Sequence, residues 1–225
     1  INQTLENEKY EIILVDDCST DSSIQVAKKY LILFKNFKII KNKKNLGVAK
    51  SSNIGIKNAK GKKIIRVDSD DYVNMEFLNI LTYFLEDNPE YFSVACDYYL
   101  VNNKAEKIKR VSSKDNPISC GVLYNQKYLM DIGIYNGKYR HREEEELRAR
   151  INLDPNLLSH YLNFPLYRYR MHDSNKTKTK IYSTIYRKKI NKINLKKNFK
   201  QFNEREKDLT KNVVVIIPAR HGSKR

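Results

Sequence analysis

The sequence has no run of about 18 apolar residues, which excludes a membrane-spanning helix in it. It opens on Ile1 with no basic-then-apolar leader, so no secretory signal is visible, and without an initiating Met the chain is expected to be a fragment. Cysteine is scarce. Cys18, Cys96 and Cys120 are odd in number and widely spaced, which fits neither a disulfide framework nor a metal knuckle and points to a reducing cytoplasm. No internal repeat or low-complexity linker stands out. Acidic residues are wholly absent from Lys176 to Lys200. From Asp173 to the end there are 16 basic residues against 4 acidic ones, so most of the formal charge of +17 belongs to the tail. What remains is 225 residues, 40% of them hydrophobic, enough for one α/β domain or one domain and a piece of another.

Apolar runs alternate with helical periods along the first 90 residues. Tyr10 to Val15 reads as a buried parallel strand, Ile24 to Phe34 as a helix behind the capping residues Ser19 to Ser23, and Phe37 to Lys41 as a second strand. Asn45-Leu46-Gly47 forms a turn, Val48 to Ala59 a helix stopped by Gly61, Lys63 to Val67 a strand, and Met75 to Leu85 a helix closed by Asn88-Pro89. This alternation predicts a doubly wound, mostly parallel sheet flanked by helices. The second half is less regular: strands at Tyr91 to Val101, Lys107 to Val111, Ile118 to Tyr124 and Phe164 to Met171, and a helix from Glu143 to Asn152. Ile181 to Phe202 reads as a basic amphipathic helix, and Val213 to Ile217 as a last buried strand.

Carboxylates fall just past the C-terminal ends of two strands, at Asp16-Asp17 and at Asp68-Ser69-Asp70-Asp71. Ligands of such sheets bind at that edge. Two or three carboxylates on a tight turn suit a hard divalent cation, Mg²⁺ or Mn²⁺, which takes its other ligands from water and substrate phosphates. The same turn also suits the N-terminus of the helix that follows, where negative charge is favourable.

The blocks Tyr10-Glu-Ile-Ile-Leu-Val-Asp-Asp-Cys-Ser-Thr-Asp21, Asn45-Leu-Gly-Val-Ala-Lys-Ser-Ser-Asn-Ile-Gly55, Ala59-Lys-Gly61 and Val67-Asp-Ser-Asp-Asp71 come in an order and spacing that resemble the family 2 glycosyltransferases of the GT-A fold. The resemblance covers roughly residues 1–175. It implies that Asp16 and Asp17 are the pair that contacts the base and ribose of a nucleotide sugar, without saying which touches it. Asp68 and Asp70 match the D-x-D that holds metal and diphosphate, with Asp71 assisting. Asn45 and Asn53 match the asparagines of an N-x-G…N-x-G block; a helix cap and a helix face serve equally well for them. The family's first strand and its P-x-Y-N-like turn are absent, so the chain is expected to begin inside the domain. Cys18 stands where the family usually has Gly.

The family is mostly inverting, and its general base is the acidic residue of an E-D motif at a helix start. Arg142-Glu-Glu-Glu-Glu-Leu147 stands in that place, which leaves the base between Glu143 and Glu144. Tyr167-Arg-Tyr-Arg-Met-His172-Asp-Ser-Asn-Lys-Thr177 resembles the family's terminal Y-R-x-H-x-x-N/S-x-T segment, which implies a role for His172 at the metal or the diphosphate.

Asn212-Val-Val-Val-Ile-Ile-Pro-Ala-Arg-His-Gly-Ser-Lys-Arg225 resembles the opening of the cytidylyltransferases that make CMP-sialic acid-like sugars. There Arg220, Ser223, Lys224 and Arg225 would line a triphosphate loop, with His221 in place of the usual Gly. The expected organisation is a glycosyltransferase domain over 1–175, a basic helical linker over 176–211 and the truncated start of a second domain over 212–225.

These readings converge on a cytoplasmic, Mg²⁺- or Mn²⁺-dependent enzyme that moves a sugar from a nucleotide donor, a UDP-sugar by expectation, to a glycan or lipid-linked acceptor of a surface polysaccharide. Ile181, Ile185, Tyr186, Ile190 and Ile193 recur at near-helical spacing among lysines, a pattern that can lie against an anionic membrane. Two rivals remain. One is a protein whose main activity is CMP-sugar synthesis, with a degenerate transferase module. The other is a basic nucleic-acid-binding module, although no aromatic-basic motif or recognition-helix signature supports a nucleic acid partner.

Overall fold

The computed structural model describes residues 2–140, 142–172 and 212–219. A short 3-10 turn at Asn7–Lys9 leads into β1 (Tyr10–Asp16), α1 (Ser23–Leu33), β2 (Phe37–Lys41), α2 (Val48–Asn58) and β3 (Lys63–Arg66). There follow β4 (Tyr72–Val73), α3 (Phe77–Asp87), β5 (Tyr91–Val101), β6 (Lys107–Val111), β7 (Val122–Asn125), α4 (Gln126–Asp131), α5 (Glu143–Ile151), β8 (Leu158–Arg170) and β9 (Val213–Ala219). The strands and helices expected within the described residues are all present. Two elements were not expected, the two-residue β4 and the short α4. The strand expected from Ile118 begins only at Val122, after Gly121 leaves the extended region with φ at 71°.

All nine strands join one sheet in the order β2-β1-β9-β3-β7-β5-β8-β4, with β6 on β5. Pairing is parallel from β2 to β3 and between β5 and β8. It is antiparallel where β7 joins β3 to β5, and where β4 and β6 are added. β8 starts six residues before its expected position because it pairs with β5 from Tyr91 on; Pro165 falls at a shift of that register, where its missing N–H is tolerated.

The last strand lies in the middle of the sheet. β9 runs parallel to β1 from Tyr10↔Val213 to Asp16↔Ala219, and parallel to β3 from Lys63↔Val213 to Arg66↔Ile216. The expectation placed this segment at the start of a following domain; the strand instead fills the slot between β1 and β3. A strand there is buried on both faces, and Val-Val-Val-Ile-Ile offers apolar side chains to each. Val213 and Val215 join Tyr10, Ile12, Phe34, Ile65, Phe77 and Leu81 on one face. Val214 and Ile216 join Ile13, Val15, Ala49, Ile56 and Leu147 on the other. Gly55 lets α2 lie directly on this strand, since a Cβ there would stand 2.6 Å from Cγ2 of Ile216. Pro218 is accommodated because its nitrogen faces the β3 side, past the last pair of that ladder. No helix among the described residues is long and apolar enough to cross a membrane. The expected basic helix at 181–202 lies outside the described residues.

Candidate functional site

Three parallel strands end side by side. β1 delivers Asp16 and Asp17, β9 ends at Ala219 between its neighbours, and β3 leads to Asp68. The amide N–H of Asp17 donates to the carbonyl of Ala219 at 3.1 Å, and that of Val67 to the carbonyl of Ile216 at 3.0 Å. Both aspartates of the first pair are buried. Asp16 accepts from the Ser19 amide at 3.1 Å, which turns the chain after β1. Cys18 holds that turn at φ 63°, the left-handed conformation that glycine adopts without strain.

Asp17 organises the next loop. Its Oδ1 accepts from Asn42 Nδ2 at 2.9 Å and from the Leu46 amide at 2.7 Å, and its Oδ2 from the Gly47 amide at 2.8 Å. Asn45 donates to the Asp17 carbonyl at 3.4 Å. Asp16, Asp17 and Asn45 are thus brought together. Asn53 stands apart on α2, where its amide reaches the Tyr135 carbonyl at 2.6 Å and its Oδ1 is buried without a partner.

The Asp68–Asp71 turn is held from β8. The buried Tyr167 hydroxyl accepts from the Asp68 amide at 3.1 Å and donates to Asp71 Oδ2 at 2.8 Å. Asp71 Oδ1 accepts from the Arg170 amide at 2.8 Å. Asp70 Oδ2 and His172 Nε2 are 2.9 Å apart, so the structure brings these two expected site residues together. Burial and the charges of Asp68 and Asp70 push the Asp71 carboxyl up to about 8, against the two hydrogen bonds that favour its ionised form. Such crowding of carboxylates is relieved by a cation, and oxygen-rich donors select a hard one. Asp68 with Asp71, and Asp70 with His172, are thus two separate close pairings, and oxygen donors of this kind suit a Mg²⁺ or Mn²⁺. Ligand atoms of Asp68, Asp71 and Cys120 also lie within 4.8 Å of one another. Burial, then the charge of Asp68, pushes the Cys120 thiol far up.

Arg66, which was not expected as a site residue, ties the turn to the helix that carries the acidic run. It is 5% exposed, with Nε 3.0 Å from Asp68 Oδ1 and Nη1 3.3 Å from Glu143 Oε1. Its Nη2 donates to Ser119 Oγ at 2.6 Å, and its guanidinium lies 5.6 Å from the centre of the Tyr135 ring. An arginine that follows Ile64-Ile65 in the strand, two residues before the D-x-D, was the available signal. α5 starts from Arg142 in the left-handed conformation, and Arg142 pairs with Glu145. Glu143 is buried against Arg66, whereas Glu144 is half-buried. Burial, then the charge of Glu143, raises the Glu144 carboxyl above the usual range, partly offset by Arg66 and Arg148. The two candidates therefore differ: Glu143 is held in an ion pair with Arg66, and the Glu144 carboxyl is raised above the usual range by burial and by Glu143. Arg220, Ser223, Lys224 and Arg225 lie outside the described residues.

The solved structure of residues 1–349 of TarS from Staphylococcus aureus in complex with UDP-GlcNAc superposes with a TM-score of 0.67 at 22% identity, over 79% of this chain and 54% of that one. A mannosyltransferase from Pyrobaculum calidifontis in complex with GDP-Man and Mn²⁺ gives 0.62 at 13% identity, over 77% and 51%. These likenesses show the GT-A fold. The poly(ribitol-phosphate) beta-glucosyltransferase of Bacillus spizizenii is 46% identical over 79 residues, 35% of this chain and 12% of that protein. The putative glycosyltransferase EpsH of Bacillus subtilis is 28% identical over 193 residues, 76% of this chain and 54% of that protein. The chain thus spans about half or less of the relatives it matches. The sequence model described as Glycosyl transferase family 2 matches residues 1–146, well over half of the chain, and with the carboxylates at the strand ends it shows that the chain belongs to that family.

Proposed function

We propose that the chain is the donor-binding part of an inverting, metal-dependent glycosyltransferase that moves a sugar from a UDP-sugar to an acceptor in surface-polymer synthesis. The observation that carries this reading is the single buried arginine, Arg66, that joins the Asp68 turn to the start of α5, so that a diphosphate site and a base are held at a fixed separation. Asp16 and Asp17 lie beside that turn, where the nucleoside would rest. UDP is favoured because the S. aureus structures hold UDP or UDP-GlcNAc. A phosphate-containing polymer as acceptor is favoured by the relatives' names.

In this reading Glu144 takes the proton from an acceptor hydroxyl as its oxygen attacks the anomeric carbon. The new C–O bond forms on the face opposite the breaking bond to the diphosphate, and the nucleoside diphosphate leaves. Glu143 and Arg66 fix the helix start so that Glu144 meets the acceptor. When bound, the divalent ion offsets the charge of the leaving diphosphate. Contact with an anionic membrane belongs to the same reading. It is supported by the near-helical spacing of Ile181, Ile185, Tyr186, Ile190 and Ile193 among lysines, with no acidic residue from Lys176 to Lys200.

A donor screen that reads released nucleoside diphosphate tests the proposal. UDP release from one or more UDP-sugars, abolished by EDTA, is expected; no release from any UDP-, GDP-, dTDP- or CMP-sugar by the full-length protein would refute it.

A further inference from the structure

α1 ends in Tyr30-Leu31-Ile32-Leu33, consecutive large apolar side chains that are all exposed, Ile32 at 88% and Leu33 at 69%. The helix is fastened by another face. Ile24 and Ala27 are buried along it, and the buried Phe34 just past its end stacks on Tyr10 with ring centres 4.9 Å apart. Tyr30, Ile32 and Leu33 fall off that packing face, so the packing of α1 leaves them in water. A contiguous exposed apolar patch of this kind marks a surface that another body covers.

The surroundings indicate which body. Lys28 and Lys29 precede Ile32 and Leu33 by four residues and so stand beside them on the helix. Lys35 and Lys38, both exposed, follow in the turn and on β2, the edge strand that pairs with β1 alone. From Ser22 to Val67 the chain carries 13 lysines and arginines and no acidic residue. The neighbouring turn at Asn7–Lys9 is joined to this edge by Asn36 Nδ2, 2.9 Å from the Asn7 carbonyl. It brings Glu8, with Glu6 just before it paired to Lys9. A cationic rim around an apolar tip complements an anionic lipid surface, whose headgroups meet the lysines and whose acyl chains meet the apolar side chains. A second copy would set the same lysines against each other, and residues 176–200 also lack acidic residues, so like charge opposes both as occupants. A nucleic acid would use the lysines and leave Ile32 and Leu33 in water.

We propose that the tip of α1 docks on an anionic lipid surface, with Ile32 and Leu33 at the boundary of headgroups and acyl chains and Lys28, Lys29, Lys35 and Lys38 on the headgroups. The proposal rests on the reading above only for the anionic membrane as partner. It names a surface of the folded domain instead of the stretch at 181–202, and it uses none of the transferase chemistry. α1 runs from the carboxylate end of β1 back to the start of the parallel β2 over 11 residues, about 16 Å of helix. Docking at its tip therefore leaves the carboxylate turn open to substrate.

The chain holds no tryptophan, so Leu33→Trp in the full chain places a single fluorescent reporter at the tip. The probes are vesicles of phosphatidylcholine alone, vesicles of an equal mixture of phosphatidylcholine and phosphatidylglycerol, and duplex DNA. Co-sedimentation and a blue shift of the emission are expected with the mixed vesicles only, both fading at about 0.5 M salt. Ile32→Ser with Leu33→Ser should weaken binding at least about 10-fold at unchanged charge. Lys28→Gln with Lys29→Gln should weaken it by about 5-fold per lysine. All four side chains are exposed, so each variant's melting temperature should match the parent's, and the two pairs test the apolar and the charged contribution separately. Equal binding to phosphatidylcholine alone would overturn the proposal, as would a blue shift on DNA or on concentrating the protein without vesicles. Co-sedimentation without a blue shift would also overturn it and would assign the contact to the stretch at 181–202. A chain that docks but releases no nucleoside diphosphate contradicts the transferase reading and leaves the docking surface standing.

Discussion

The two halves of the sheet present the site by different means. In the parallel half, β2-β1-β9-β3, the backbone does most of the placing: β1, β9 and β3 are buried, β2 is the partly exposed edge, and Asp16, Asp17 and Asp68 follow where pairing ends. In the mixed half, β7-β5-β8-β4, the backbone is interrupted by register shifts, and side chains do the placing. Tyr167, Arg170 and His172 reach from β8 and its end to the turn at 68–71. Damage to the first half should therefore cost the fold, and damage to the second should cost geometry.

The largest expected effect is at the central strand. Ile216→Asp puts a charge on a fully buried residue of β9 and should abolish cooperative unfolding, whereas Ile108→Asp, on the exposed edge strand β6, should shift the melting temperature little. Equal effects in thermal melts followed by circular dichroism would erase the distinction between the halves.

Glu144→Gln should lower turnover by about 10²- to 10⁴-fold with donor binding retained. The sign of the pH dependence follows from its raised carboxyl. The base must be ionised, so activity should fall on acidification at a pH above the ordinary glutamate range. An acidic limb at that ordinary range, or a silent Glu144→Gln beside a damaging Glu143→Gln, would move the base to Glu143.

Arg66→Met should cost about 3–5 kcal/mol in urea titrations, because Glu143 is left buried, and Asp68 partly buried, without their cation. It should also loosen the link between the halves, so that turnover falls more than UDP affinity.

Much of the parallel half was legible in the sequence because each of its elements is a local pattern. Tyr10–Asp16 is a largely apolar run that ends in a carboxylate, Lys63–Arg66 leads through Val67 to Asp68, and Phe37–Lys41 is found where it was expected. What was not legible is non-local. Nothing in Val213–Ala219 says that it pairs with strands some 150 to 200 residues earlier, since its apolar run suits any buried slot. In the mixed half β4 has two residues, too short for a period, and α4 has six. α4 did carry one cap signal, Asn125 accepting from the Lys127 amide at 3.1 Å. Among site residues, the motif blocks pointed to the carboxylates. The neutral and basic groups that hold them, Arg66 and Tyr167, were overlooked as site residues because their partners lie 77 and 96 residues away.

The smallest effect sharpens the same contrast at one backbone position. Cys18→Gly should stabilise the parallel half by about 1 kcal/mol, since φ at 63° is strained for cysteine and open to glycine. A loss of stability there would mean that the thiol packs to more advantage than the turn loses.

The central claim is that the strand-end carboxylates form a metal-assisted diphosphate site. Titration of UDP into the chain with Mn²⁺ and then with EDTA, for the parent and Asp70→Ala, tests it most directly. The account predicts binding that needs Mn²⁺ and weakens at least about 10-fold in Asp70→Ala, with the melting temperature little changed. UDP binding of equal strength in EDTA and in Asp70→Ala would contradict it.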